Sequence, residues 1–290
     1  MHLRGDFQAD QWPMGPRPAT AGCRPPGVCR PPAPLPELGR RATIGPVMQL
    51  PHFPLHAVLF PHLPLPLHIF EERYRTMIRD VLADGSPFAG RFVVSMITQG
   101  PEVGADPARQ PLSARVGTVV EVRHAERFAD GRWALLAVGL ARAMVESVER
   151  SGPYPVADVD QLPEQQGDLT TTAVLLPQVQ GALDAYLESV KRYAAAAASV
   201  GRESHEIGKV TGSLDEVLKP IRLPDDPLAA SYAVGGMLQI ELTRKQQLLE
   251  LPDAGARLAA ELQLLRREAR LLADGAISPM SSADLHYNPN

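Results

Sequence analysis

Apolar positions divide the chain into two regimes. Between residue 50 and about residue 165 they fall in short runs of strand length: 91–98 (RFVVSMIT), 115–123 (RVGTVVEVR) and 132–140 (RWALLAVGL). Asp130-Gly131 separates the last two, and Asp-Gly favours the positive-φ positions of a tight hairpin. Residues 143–148 and 154–162 predict two more strands. Upstream, alternation over 50–61 predicts a strand whose prolines confine parts of it to an edge or turn, and 67–70 predicts another. One helix interrupts them, over 71–83. It places Tyr74, Met77, Ile78 and Leu82 on one face, Glu71 and Glu72 at the positive end of the dipole, and Asp84-Gly85 at its stop.

Beyond about residue 168 the period becomes helical. Residues 174–198 carry Leu183, Leu187 and Val190 on one stripe and end in a run of alanines. Asp226-Pro227 has the cap-then-proline order that opens a helix, expected to run to Leu242 through Gly235-Gly236. Thr243 is the expected cap of a short helix to Leu249. Asp253 is the expected cap of a last helix, with Leu258, Leu262, Leu265, Ala269 and Leu272 at core spacing. Strands come first and helices after, so the expected class is α+β: a β-rich lobe over 48–165, then a helical bundle over 166–275.

The two ends differ from this pattern. Residues 1–47 hold ten of the 29 prolines, interleaved with Arg and Gly, and residues 276–290 are rich in Pro, Ser and Asn. Such composition buries too little apolar surface to offset chain entropy, so both ends read as disordered tails. A second reading of the first tail places the true translation start at or near Met48. The two cysteines, Cys23 and Cys29, cannot by themselves build a four-ligand zinc site or a disulfide framework. No apolar run reaches the roughly 20 residues of a membrane span, and no signal-peptide h-region is visible. The expected compartment is the cytoplasm. Net charge is −4. Residues 48–165 hold 11 Lys and Arg against 14 Asp and Glu, a net of −3, which is the wrong sign for a phosphate-binding surface.

The sequence carries no familiar catalytic pattern. The fragment closest to a phosphate-binding Walker loop, Gly208-Lys209-Val210, lacks the hydroxyl residue and has Glu203 where the first glycine belongs. There is no Gly-x-Ser-x-Gly elbow and no His-Glu-x-x-His helix. In Ser204-His205-Glu206 neighbouring side chains point apart, which rules against a triad. His52, His56, His62 and His68 could ligate a metal in principle, but the prolines between them do not bring them to one point. The expectation is no metal and no cofactor.

One string is distinctive: Leu50-Pro51-His52-Phe53-Pro54-Leu55, then Val58-Leu59-Phe60-Pro61, then Leu65-Pro66-Leu67-His68-Ile69-Phe70-Glu71-Glu72-Arg73-Tyr74-Arg75. It resembles the opening of Lon protease N-terminal domains, which read approximately LPLFPL…VLFPG…LPLHIFEPRYR. Weaker matches follow in order: Gly117-Thr118, Asp130-Gly131-Arg132-Trp133, Gly139 and Arg142 in a Gly-x-x-Arg step, Pro153-Tyr154, 245–250 (KQQLLE) and Arg257-Leu258. His62 departs from the glycine usual after Phe-Pro. The resemblance spans about residues 48–273. It implies a PUA-like β-barrel before the helical bundle, and a region that captures unfolded or damaged polypeptide. It also implies recognition without hydrolysis, because the ATPase and Ser-Lys peptidase motifs of full-length Lon are missing from this sequence.

The expected function is therefore polypeptide binding, as an adaptor in quality control, with a protease or chaperone as a further partner. Leu63 and Leu65 in the proline-punctuated stretch and Phe128 at the hairpin tip are the candidate contacts; the competing assignment makes all three core residues. Two other readings stand beside it. One is a hydrolase built on Glu71, Arg73 and nearby histidines, and the other is an RNA-binding PUA-like protein.

Overall fold

The structure is a computed structural model that describes residues 48–102, 111–200 and 221–273. The two tails, both cysteines and the 203–210 fragments lie outside the described residues. Seven strands form one sheet: β1 (Met48–Leu55), β2 (Pro64–Ile69), β3 (Arg91–Gln99), β4 (Leu112–Ser113), β5 (Val116–Arg127), β6 (Trp133–Glu149) and β7 (Val156–Gln161). The helix α1 (Glu72–Val81) sits between β2 and β3. After the strands come α2 (Leu169–Val200), α3 (Pro227–Met237), α4 (Leu242–Glu250) and α5 (Ala254–Ala273). The result is a mixed fold with strands first and helices after, as the change of period predicts.

Pairing runs β1-β7-β6-β5-β3, and β1 also pairs with β3 in parallel. Those five strands therefore form a closed ring of pairings, which removes most of the free edge. Alternation sends successive residues to opposite faces. Phe92 and Val94 of β3 join Val120, Leu135 and the α1 residues Tyr74, Met77, Ile78 and Val81 in one cluster. Val93 joins Val119, Ala143, Val145, Ala157 and Val159 in another. A single strand thus feeds two cores, so a one-residue register slip would empty both.

Several boundaries differ from expectation: the strand expected over 50–61 ends at Leu55, β2 begins at Pro64 rather than Leu67, β5 runs on to Arg127 and α2 begins at Leu169. The runs 132–140 and 143–148 are not separate strands but one, β6, whose local alternation is broken by register shifts against β5 and β7. Its first half pairs with β2 and its second with β7, across from a continuous β5. The helix from Pro227 stops at Met237 rather than Leu242, and Leu238 turns extended with its side chain fully buried. The next helix then starts from Glu241, so Thr243 lies inside it instead of capping it. Asp226 and Asp253 do act as caps: Ala229 N–H donates to Asp226 and Ala256 N–H to Asp253, 2.9 and 2.8 Å away.

The helices pack on the β-rich part through Phe60. Its fully buried ring belongs to the helical core with Tyr232, Leu238 and Leu258, and its centroid is 6.3 Å from that of Tyr232. Two glycines make room. A Cβ on Gly235 would stand 2.7 Å from the Phe60 ring, and one on Gly139 would stand 2.7 Å from the Phe60 carbonyl oxygen and 3.0 Å from Pro61 Cα. His62 N–H bonds the Gly139 carbonyl and Gly139 N–H bonds that of Leu63, at 2.8 and 3.0 Å, which fixes this approach. His62 itself takes φ 67°, the left-handed conformation that favours glycine. The departure from the family pattern is accommodated as backbone strain of about 1 kcal/mol.

Gly139→Ala is expected to lower unfolding free energy by about 1–3 kcal/mol in urea titration, because backbone rather than a flexible side chain must move. Unchanged stability would mean that this approach is loose.

Candidate functional site

Two regions gather the residues of interest: a buried seam between sheet and helices, and an exposed face of the β2–β6–β5 sheet. The seam is built around the end of α4. The last carbonyls of a helix have no partner within it and carry the negative end of the dipole. Here two buried arginines supply donors. Arg142 on β6 donates through Nη1 to the Leu249 and Leu251 carbonyls at 2.9 and 2.6 Å, and through Nη2 to Pro163 and Pro252 at 3.2 and 3.4 Å. Arg257 on α5 donates to Leu248 at 3.0 Å, to Leu251 at 3.2 Å and to the Ser231 hydroxyl at 2.8 Å. Its guanidinium lies 4.5 Å from the Tyr232 ring centroid.

Around them Glu164 accepts from Tyr232 Oη and from the Arg142 backbone N–H, and its carboxylate lies 3.5 Å from Arg142 Nε. Burial, with the Glu164 hydrogen bond added, raises the Tyr232 pKa above the usual tyrosine range. Gln246 bonds the Val116 carbonyl of β5 at 2.9 Å. Lys245 reaches back to the Gly236 carbonyl at 3.2 Å, and burial lowers its pKa to about 8. Glu261, one turn beyond Arg257, is fully buried with both oxygens unpartnered among the described residues. Burial outweighs the attraction of Arg257 and raises its pKa well above the ordinary carboxylate value.

On the exposed face, His68 and Ala134 pair, as do Pro66 and Leu136, then Pro64 and Val138. Leu136 is 40% exposed and Phe128, at the Phe128–Arg132 turn, 38%. The Phe128 ring lies 5.9 Å from that of His68. Apolar and proline side chains thus line one face beside charged β5 neighbours such as Glu126, which pairs with Ala134. Leu63 and Leu65 are half-buried. Leu65 packs into the α1 core, and Leu63 wedges against α3, where a Cβ on Gly236 would meet it at 2.2 Å. Of the three candidate contacts only Phe128 is exposed. Proline has no N–H, so Pro64 and Pro66 turn their nitrogens away from β6 and strip donors from the free edge of β2. That edge is a poor template for an added strand.

The other motif residues have structural partners. Glu71 precedes α1 and pairs with Arg73 at 3.1 Å, and Arg73 stacks 4.5 Å over Tyr74. Tyr74 is buried, which raises its pKa to about 12, and Phe70 is half-buried. Among the described residues no three His, Cys, Asp or Glu are placed to hold a metal ion. A serine–histidine contact that the sequence did not reveal does exist: His52 Nε2 lies 2.6 Å from Ser95 Oγ across β1 and β3. Both are buried, and burial, aided by Arg150, lowers the His52 pKa to about 4. Both side chains lie inside the sheet and are at most 2% exposed. No described helix is long and apolar enough to cross a membrane.

A family profile for the ATP-dependent protease La (LON) substrate-binding domain matches residues 49–267. The chain belongs to this family. Lon proteases align with it at 26% identity in Desulfovibrio desulfuricans, 25% in Anaeromyxobacter dehalogenans and 21% in Escherichia coli K12. Each alignment covers 77–78% of this chain but 22–25% of the relative, so the chain spans about a quarter of their length. Among solved structures it is similar to a Lon N-terminal domain protein from Xanthomonas campestris, with TM-score 0.47, 21% identity, and coverage of 75% of this chain and 98% of that one. The N-terminal domain of Mycobacterium avium complex Lon protease gives TM-score 0.49, 18% identity and coverage of 75% and 97%. The Lon-type motif residues Phe60, Pro61, Gly139 and Arg142 all sit at or beside the seam, so in this member the motif describes how helices are seated on the sheet.

The Glu261 carboxyl generates a pH prediction. It stays neutral in the folded chain above pH 4.5, where the unfolded chain ionises, so its contribution is complete below that pH and is lost as pH rises towards the raised folded value. Glu261→Gln removes this slope. Its stability relative to wild type should improve by up to about 1.4 kcal/mol per pH unit above pH 4.5, read from urea unfolding at several pH values. Parallel pH profiles for the two proteins would contradict the assignment.

Proposed function

We propose that this chain is a non-catalytic polypeptide-binding module that acts as an adaptor in cytoplasmic protein quality control. Membership of the Lon substrate-binding family over residues 49–267 carries the reading. The β-rich lobe, residues 48–165, is read as a PUA-like barrel, a reading the closed ring of pairings supports. Residues 166–275 are read as a helical bundle. The contact surface is the face of Phe128, Leu136 and Pro66, with Leu63 and Leu65 bracing it from behind. Unfolded polypeptides, and specific proteins that expose apolar side chains, dock there by side-chain contact rather than by adding a strand to the proline-blocked edge of β2. A protease or chaperone that receives the cargo is the further partner.

The buried His52–Ser95 contact is the one observation that favours a hydrolase. Its enclosure argues against that reading, because a nucleophile must reach the bond it attacks. RNA binding is disfavoured by mixed charge on β5, where Arg123 and Arg127 alternate with Glu121 and Glu126.

Fluorescence anisotropy with a labelled, permanently unfolded protein tests the proposal. Phe128→Ser with Leu136→Ser is expected to weaken binding about tenfold at unchanged thermal stability, the loss of two apolar anchors. Leu63→Ser should instead lower stability. Absence of binding at high micromolar concentration, or full binding by the double variant, would count against the proposal.

A further inference from the structure

A second surface lies on the helical part, remote in sequence from the β2–β6–β5 face. α4 and α5 enclose a cleft of about 400 Å3 lined by Arg244, Gln247, Leu248, Leu251, Ala260, Gln263, Leu264 and Arg267. Its volume falls in the range of natural ligand clefts, roughly 300–1,000 Å3. The lining has a regular origin. Arg244, Gln247, Leu248 and Leu251 follow i, i+3, i+4, i+7 spacing from α4 into its cap, and Ala260, Gln263, Leu264 and Arg267 repeat it on α5. Each bank therefore carries an aliphatic strip, one amide and one guanidinium.

The charge on these banks is one-sided. Among the described residues two arginines line the cleft and no carboxylate does. Their ion-pair neighbours stand at the long distance of 3.8 Å, Glu241 for Arg244 and Glu268 for Arg267, and the two arginine side chains are 43% and 47% exposed. Such pairs contribute little and leave the donor forks available. The contrast with Arg142 and Arg257 is sharp, since those spend their donors on carbonyls at 2.6–3.4 Å.

We infer that the α4–α5 cleft docks an acidic, leucine-bearing peptide segment of a partner protein. Leucine side chains would fill the strip formed by Leu248, Leu251, Ala260 and Leu264. Carboxylates would take the forks of Arg244 and Arg267, and the Gln247 and Gln263 amides would meet peptide groups. Two guanidinium groups on opposite banks match a segment with several carboxylates better than a fatty acid with one. This site is independent of the proposed β-face function, and the two can fail separately.

The test uses the full chain and a fluorescein-labelled peptide of about 12 residues with leucines spaced three and four apart and glutamates between them. The same peptide is then made with glutamine, and with lysine, in place of glutamate. Micromolar binding of the acidic peptide is expected, at least about tenfold weaker for the glutamine form and weaker still for the lysine form, with loss of affinity as salt rises. R244E/R267E should weaken the acidic peptide about tenfold, and Gln247→Trp, which fills the cleft, should do the same. Phe128→Ser with Leu136→Ser should leave it unchanged. Equal binding of the three peptides, no binding of the acidic one, or binding unaffected by both cleft variants would overturn the inference. So would complete displacement by decanoate at the same concentration as unlabelled peptide. The peptide series needs no variant, so a misfolded R244E/R267E would not shield the inference.

Discussion

Two guanidinium groups are buried at the end of α4, and the seating of the helices on the sheet follows from them. A helix that ends inside a protein leaves carbonyls without donors, and a buried charge without partners is costly. At residues 248–252 each liability offsets the other. Arg142 arrives from the sheet and Arg257 from the next helix, and both donate to the Leu251 carbonyl. The consequence is positional. β6 cannot shift without taking the Arg142 donors from the Leu249, Pro163 and Pro252 carbonyls, and α4 cannot leave without stranding two charges. The tight approach of Phe60 to Gly139 and Gly235 completes the seam.

The Lon-type motif residues divide between two structural tasks. Phe60, Pro61, Gly139 and Arg142 touch the seam, whereas Phe70, Glu71, Arg73 and Tyr74 shape the start of α1 and its contact with the first core. What faces outward is less regular: Phe128 and Leu136 on the sheet, and the Arg-flanked cleft on the helices.

The sequence reveals the frame unevenly, and the reasons are local. Strands β3 and β5, the Asp130-Gly131 turn and α1 are legible because period and turn chemistry agree there. β6 is not, because its bulges break the alternation that would mark one strand of 17 residues. The end of α3 at Met237 is also hidden, since Leu238–Glu241 are competent helix formers. Burial of Leu238 and the reach of Lys245 to Gly236 decide that boundary, and both are tertiary. Arg257 and Glu261 sit one residue before Leu258 and Leu262, so in sequence they look like solvated flanks of the stripe. Leu63 reads as a contact residue from its proline-rich setting, and its half-burial against α3 is a tertiary feature that no local pattern shows. The α4–α5 cleft needs two separate i, i+3, i+4, i+7 stripes to face each other, which no single window shows.

Hydrogen exchange on Arg142→Lys reads the strength of this seam, because lysine keeps the charge but cannot fork to carbonyls on four residues. Amides of α4 and the first turns of α5 are expected to exchange at least about tenfold faster, while β3 and β5 keep their protection. Unchanged protection across 242–260 would contradict the claim that this guanidinium seats the helices on the sheet.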